Sequence, residues 1–201
     1  MRARAGGERD DMFKKNLSSV LGPILLLIYI NDIDEGLVSK LWKFADDTKM
    51  CRSVMDENDA DVIRKDLDKM LLWSKEWQML FNVDKCSVLH MGKSNKQVQY
   101  KLGDKTMLTC KQEKDLGIII EASGKCSQQC LASVNKANSL VGMIRRSIQY
   151  KSKGVVVKLF KSLVRPKLEY CIQAWSPYLK KDIDMIERVQ RRALKLVQEF
   201  K

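Results

Sequence analysis

Residues 41–51 read LWKFADDTKMC. Apolar and aromatic residues precede Ala45 to Thr48, and Asp and Thr are common turn residues, so the stretch predicts two short strands joined by a hairpin turn. The adjacent carboxylates of Asp46 and Asp47 repel each other unless a cation offsets their charge. Hard cations such as Mg²⁺ are often held by one or two carboxylates together with substrate phosphates, which suits phosphoryl transfer. The pair alone also fits an ordinary solvated turn, and the surrounding sequence decides between the two interpretations.

Further blocks precede and follow this hairpin in a fixed order: VLGPILLLIYI at 20–30 followed by NDID, NVDKC at 82–86, KDLGIII at 114–120, LVRPKLEY at 163–170 and WSPY at 175–178. In this order and at these intervals, the blocks resemble the reverse transcriptases of non-LTR (LINE-type) retrotransposons. The resemblance runs from about residue 19 to about residue 200, from the middle of the palm through the thumb.

The resemblance implies an RNA-directed DNA polymerase that adds nucleotides by two-metal chemistry. It implies that Asp46 and Asp47 are catalytic and bind Mg²⁺, and that Lys85 places a cation near the triphosphate. Gly117 matches a hairpin that grips the primer end, although the residues alone also fit an ordinary buried strand with a tight turn. The implied partners are an RNA template, an RNA–DNA duplex and a larger retroelement product.

The same resemblance implies that part of the polymerase is missing. A further catalytic Asp belongs on an earlier palm strand, and the fingers precede it, whereas residues 1–18 are expected to form a disordered leader. We therefore expect a truncated nucleotidyltransferase with a weak or incomplete magnesium site. Two alternatives stay open: a non-catalytic basic remnant that binds nucleic acid, and an inert or partner-binding fragment.

The charge of the chain favours polyanionic partners. Its 201 residues include 37 Lys and Arg against 25 Asp and Glu, a formal net charge of +12. Such an excess promotes phosphate contacts through counterion release, although solvated lysine faces also produce it. The predicted phosphate-facing cations recur on every helix after Gly124: Arg145, Arg146, Lys158, Lys161, Arg188, Arg191, Arg192 and Lys195. All of them except Lys195 are carried into the site prediction.

The six cysteines show no repeated Cys-x-x-Cys pairing, and His90 is the single histidine. Cys126 and Cys130 could share a helix face, but two thiols without further ligands do not close a tetrahedral zinc site. Scattered reduced thiols predict a cytoplasmic or nuclear protein. The apolar stretch 20–30 is too short to span a bilayer, so no membrane partner is expected.

The expected fold class is α+β, an incomplete polymerase palm over residues 19–122 followed by an all-helical thumb over 123–201. The palm is expected to contain three or four antiparallel strands and an unpaired edge, with Leu25 to Ile30 in a buried helix. Residues 61–80 carry apolar side chains at helical spacing and predict a long amphipathic helix, on which Trp73 and Trp77 pack rather than stack on bases. Strands are predicted at 86–91, 97–102 and 105–109, with a turn at Gly103.

Overall fold

The computed structural model describes residues 2–4 and 21–197. The chain divides into two compact units, Met1–Lys111 and Gln112–Lys201, and each is described here by itself. Strands and helices are both present in quantity, so the predicted α+β class is confirmed. The predicted boundary near residues 122 and 123 falls inside the second unit.

The first unit is built on a five-stranded sheet. Its strands are β1 (Arg2–Arg4), β2 (Lys40–Phe44), β3 (Asp47–Cys51), β4 (Ser87–Leu89) and β7 (Leu108–Cys110), in the order β2-β3-β1-β4-β7. Strands β5 (Lys101–Leu102) and β6 (Lys105–Thr106) form a separate hairpin whose turn contains Gly103, as the sequence predicts.

The hairpin predicted from residues 41–51 is present. Strands β2 and β3 pair antiparallel from Lys40 opposite Cys51 to Phe44 opposite Asp47, which leaves Ala45 and Asp46 as a two-residue turn. Ala45 has φ of 51°, a left-handed conformation that costs a non-glycine residue about 1–2 kcal/mol. Packing of the strand residues must therefore outweigh a strained turn, because Thr48 and Met50 are buried.

Strand β1 corrects two predictions. Residues 2–4 belong to the segment expected to be disordered, yet they pair antiparallel with β3, Ala3 opposite Thr48, and with β4, Arg2 opposite Ser87. The sheet therefore has no unpaired edge at β3 on this side. Ladder hydrogen bonds use backbone groups only, so almost any extended segment can satisfy an open strand. The remaining residues of the predicted leader lie outside the described part of the chain.

The sheet is also not purely antiparallel, as the prediction had it. Strand β4 pairs with β7 in parallel, Val88 opposite Thr109. The chain between them contains the β5–β6 hairpin, which brings it back to start β7 in the same direction as β4. A parallel pair needs such a crossover rather than a tight turn.

Helix α1 (Leu21–Tyr29) is less buried than predicted. Only Gly22 and Leu26 are buried within it, and the other large apolar residues are exposed: Leu21, Ile24, Leu25, Leu27 and Ile28. The prediction of a buried palm helix at Leu25 to Ile30 is therefore wrong for most of its length, although Ile30 itself is buried. An all-apolar helical sequence predicts a buried helix, but it does not show which part of the protein covers that helix.

Helix α2 (Glu57–Glu76) confirms the predicted long amphipathic helix with shifted bounds. Asp56 caps its N terminus by accepting from the Asp59 N–H, and Leu67 and Met70 enter the core with Met50, Val88 and Tyr100. Leu80 lies beyond the helix and is exposed. Trp73 packs against this core and donates its indole N–H to Asp32 at 3.0 Å, so the predicted packing role of Trp73 is confirmed.

The second unit combines one hairpin with helices. Strands β8 (Gln112–Asp115) and β9 (Ile118–Glu121) pair antiparallel and are followed by α3 (Ser127–Ser147), α4 (Lys153–Leu159), α5 (Arg165–Glu169), α6 (Ile172–Trp175) and α7 (Lys180–Leu194). A π-helical turn, Phe160–Val164, links α4 to α5. Pro166 explains it, because a proline ring collides with the carbonyl four residues earlier in a regular helix, and a wider turn relieves the collision.

The core of this unit lies between α3, the α4–α5 segment and α7. Its buried members are Val134, Ala137, Val141, Ile144, Val164, Leu168, Val189 and Ala193. The apolar residues of α3 recur at intervals of three and four, so one face of the helix is buried. Gln129 and Ser133 are buried as well, and the Gln129 side-chain amide donates to Ser133 Oγ at 3.2 Å. Within residues 21–197, the helices fall short of the length and apolarity needed to cross a membrane.

Candidate nucleic-acid interface and metal-binding residues

The predicted catalytic residues lie at one end of the sheet of the first unit. Asp46 is exposed in the turn, and Asp47 is half-buried at the start of β3, opposite Phe44 and Arg4. Lys85 is exposed at the end of a 3₁₀ turn, Val83–Lys85, just before β4. Strand β4 runs antiparallel to β1 and begins at Ser87, opposite Arg2, so Lys85 lies at the same end of the sheet as Asp47.

Two contacts hold the hairpin in place. The Lys43 ammonium on β2 donates to the backbone oxygen of Asn31 at 2.8 Å and to Asp34 Oδ1 at 2.6 Å. The hydrogen bond from Lys43 lowers the pKa of the Asp34 carboxyl. Asp66 on α2 is buried and accepts the Ser39 N–H at 2.8 Å and the Val38 N–H at 3.2 Å, directly before β2 begins. The loop into β2 is therefore fixed at both ends by charge-assisted hydrogen bonds.

Asp46 and Asp47 do not complete a two-metal centre with the other described residues. Such a centre needs carboxylates from different strands, and the strands on either side of β3, β1 (RAR) and β2 (KLWKF), have no carboxylate. Among residues 21–197, the only group of three or more His, Cys, Asp or Glu side chains close enough to hold one metal ion lies in the second unit. The two aspartates thus supply at most part of a magnesium site.

The second unit contains a basic cleft where the C-terminal parts of α3 and α7 lie side by side. This basic cleft has a volume of about 540 Å³. It is lined by Asn138, Val141, Gly142, Arg145, Lys151, Arg192, Lys195 and Leu196. None of these lining residues is acidic. Arg192 donates to Asn138 Oδ1 at 2.8 Å, which fixes one guanidinium at the cleft wall.

The electrostatic balance of the basic cleft is positive. Each helix C terminus contributes a partial charge of about −0.5, whereas Arg145, Lys151, Arg192 and Lys195 contribute four formal positive charges. The net field therefore favours an anion. Arginine side chains can bind phosphate oxygens in bidentate geometry.

The predicted thumb cations divide into two groups. Arg145 and Arg192 line the basic cleft together with Lys195, which was also predicted among the phosphate-facing cations, and with Lys151, which was not predicted. The second group is exposed outside the cleft lining: Arg146, Lys158, Lys161, Arg188 and Arg191. Arg191 is engaged by Glu187 at 2.6 Å, and Arg188 donates to the Asp184 backbone oxygen. Lys151 lies in the loop after α3, where helical periodicity gives no signal.

Gly117 lies at the tip of the β8–β9 hairpin. Leu116 and Gly117 form its two-residue turn, with φ of 45° and 87°, the pattern of a type I′ turn. The Tyr170 hydroxyl donates to the Leu116 oxygen at 3.1 Å, and a Cβ at Gly117 would approach the Tyr170 ring to 3.3 Å. Glycine is therefore required both by the backbone conformation and by the close ring.

We expect opposite effects from two substitutions in this turn. Gly117→Ala should lower the free energy of unfolding by about 1–2 kcal/mol, because alanine at positive φ is strained. Leu116→Asn should raise it by about 0.5–1 kcal/mol, because asparagine is favoured at the first turn position. Urea denaturation followed by circular dichroism measures both. Equal effects of the same sign would contradict the type I′ assignment.

A cluster of potential metal ligands lies in the same unit. Cys126, Cys130 and Asp182 are all buried, and one ligand atom from each lies within 4.8 Å of the others. The two sulfurs are 4.0 Å apart. Ser127 Oγ donates to Asp182 Oδ2 at 2.7 Å, whereas Asp182 Oδ1 is buried without a hydrogen-bond partner. Burial, with Cys126 as a neighbour, raises the pKa of the Cys130 thiol to about 12.

The sequence interpretation missed this cluster because it considered the two thiols without a third ligand. Asp182 lies 55 residues after Ser127, so spacing along the chain could not reveal their contact. An acidic residue in the first turn of a predicted helix signals a helix start, not a ligand.

Comparison of the chain with protein-family models, with curated proteins and with solved structures returns no match.

Proposed function

We propose that this chain is the palm and thumb portion of a LINE-type reverse transcriptase that binds an RNA–DNA duplex through its helical unit. The ordered sequence blocks from residue 20 to residue 178 support the ancestry. The observation that carries the binding role is the basic cleft, in which four cations and, among residues 21–197, no acidic residue line one cavity. Neutralising a duplex backbone releases counterions, so such a surface binds phosphates in a salt-dependent way.

For catalysis, we propose only an incomplete magnesium site. Asp46 lies in the β2–β3 turn, Asp47 begins β3, and Lys85 precedes β4 at the same end of the sheet. Strand β1 beside them carries no carboxylate. A basic nucleic-acid-binding chain with an incomplete metal site therefore fits better than an independent polymerase. Two-metal transfer requires the carboxylates of both strands to act together.

Binding is tested by fluorescence anisotropy with a labelled RNA–DNA duplex over a range of salt concentrations. In Arg145→Gln/Arg192→Gln, two charge-assisted contacts are lost at about 1.5 kcal/mol each, so affinity should fall roughly 100-fold. The slope of log K against log salt should decrease in magnitude by roughly 2, because two fewer phosphates are neutralised.

The matched control is Arg165→Gln/Lys180→Gln, which removes the same two charges from exposed residues of the same unit outside the cleft. Arg165 forms an exposed i,i+4 ion pair with Glu169, and Lys180 forms one with Asp184. We expect less than a threefold loss of affinity. Equal losses in the two variants would show that binding follows total charge and would contradict the cleft assignment.

Catalysis is tested by primer extension on poly(rA)–oligo(dT) with Mg²⁺. The chain alone should give no product above that of an Asp46→Asn/Asp47→Asn variant. Extension that this variant abolishes would overturn the incomplete-site proposal. Concentration-dependent self-association without any effect of nucleic acid would instead favour an inert fragment, since α1 exposes five large apolar residues.

A further inference from the structure

The first turns of α3 and α7 meet at one buried polar cluster. Cys126 is the N-cap residue of α3, Cys130 follows one turn later, and Asp182 is the third residue of α7. Trp175 and the side chains of Ile118 and Ile172 pack around the two cysteines. The second unit therefore places two thiols and a carboxylate together inside an otherwise apolar region.

One atom of this cluster is left without a partner. Asp182 is fully buried, and Ser127 donates to its Oδ2, but Oδ1 is buried from water and has no hydrogen-bond partner in the described part of the chain. A buried carboxylate oxygen without a partner is costly, and native structures rarely contain one. Nearby thiols are weak donors and do not offset this cost. A bound cation would satisfy Asp182 Oδ1 and offset the cost of burying it.

We propose that Cys126, Cys130 and Asp182 bind a thiophilic divalent cation of the Zn²⁺ class, which ties the start of α3 to the start of α7. Two Zn–S bonds of about 2.3 Å at the tetrahedral angle separate the sulfurs by about 3.8 Å, close to the 4.0 Å between Cys126 Sγ and Cys130 Sγ. Thiolate ligands select zinc over magnesium or calcium, which prefer oxygen.

The surroundings support three ligands from the protein and a fourth from elsewhere. The Ser127 hydroxyl holds the Asp182 carboxylate from its other oxygen, as an outer partner does in metal sites. The Ser176 backbone oxygen lies 4.0 Å from Cys126 Sγ, and the fourth ligand would be this oxygen or a water.

A disulfide is a poorer explanation of the same cysteines. A disulfide needs an S–S bond of about 2.05 Å and Cβ atoms about 3.5–4.5 Å apart. Residues four apart on a helix have Cβ atoms about 5–6 Å apart, and both cysteines are free thiols here. Closing the bond would require the first turn of α3 to unwind.

The test is equilibrium dialysis of the reduced full chain against Zn²⁺, with metal content measured by mass spectrometry. We expect one Zn²⁺ per chain. Cys126→Ser/Cys130→Ser should lower the affinity at least tenfold, and so should Asp182→Asn, which keeps the shape of the side chain. The control, Cys51→Ser/Cys171→Ser, removes two exposed cysteines and should bind like the wild type.

A second measurement needs no variant to fold. Co²⁺ in place of Zn²⁺ should give a thiolate-to-metal charge-transfer band and the visible spectrum of a tetrahedral ion. The melting temperature of the wild type should rise with Zn²⁺ and not with Mg²⁺. No retained metal in the wild type would overturn the proposal. Equal retention by the Cys126→Ser/Cys130→Ser variant would also overturn it, because the metal would then lie elsewhere.

Discussion

Asp66→Ala is expected to lower the free energy of unfolding of the first unit by about 3–5 kcal/mol. The carboxylate is buried, and it accepts the N–H groups of Ser39 and Val38. Alanine removes both charge-assisted hydrogen bonds and leaves two backbone donors, one of them buried, without an acceptor. Asp66→Asn retains one acceptor but turns an NH₂ group toward a donor, so we expect a smaller loss.

Hydrogen exchange followed by mass spectrometry assigns this loss to the correct unit. Peptides that contain Val38 and Ser39 should exchange faster in Asp66→Ala, whereas peptides of the helical unit should be unchanged. Asp68→Ala is the matched control, because Asp68 lies on the same helix and is exposed. A loss below 1 kcal/mol for Asp66→Ala would show that the carboxylate does not hold the loop into β2.

Trp175→Ala should cost the second unit about 3–5 kcal/mol. The side chain is 4% exposed and packs with Cys126, Cys130 and Ile172. Its indole N–H donates to the Tyr170 backbone oxygen at 2.7 Å, which closes the short connection around α6. Truncation to alanine opens a cavity and leaves that acceptor without this donor, so both the packing and the hydrogen bond are lost.

Two variants separate these contributions in urea denaturation. Trp175→Phe keeps most of the apolar contact and loses the hydrogen bond, so it should cost about 1–2 kcal/mol. Trp42→Ala removes an indole that is 52% exposed on β2 and should change stability by less than about 0.5 kcal/mol. If Trp175→Ala and Trp42→Ala cost the same, Trp175 would not be a core residue of its unit.

Sequence patterns predicted the helices and strands that are determined by residues close together along the chain. The β2–β3 hairpin follows from turn residues between apolar runs, and α2 follows from the spacing of Ile63, Leu67 and Met70. The bounds of α2 shifted because Asp56 caps the helix one turn earlier than the apolar residues require. Helical cations were also found from spacing, but only the fold separates Arg145 and Arg192, which line a cleft, from Arg191, which pairs with Glu187.

The features that sequence reasoning missed depend on contacts between distant residues. Ala3 pairs with Thr48, although Arg2 to Arg4 has no apolar run that would predict a strand. Exposure of Leu25 and Ile28 depends on what covers α1, which an apolar pattern does not specify. Asp182 joins Cys126 and Cys130 only because α7 packs beside α3.

Any strand added to this sheet beside β3 must displace strand β1, so its insertion is an exchange reaction. A peptide that supplies a carboxylate beside Asp47 must take the position between β3 and β4 that residues 2–4 hold. At saturating peptide, the rate of insertion would be set by the release of β1 and would no longer depend on peptide concentration. A three-residue strand offers few ladder bonds, so a longer incoming strand would win the competition at equilibrium. Residues 2–4 would then compete with the added peptide for the same position in the sheet.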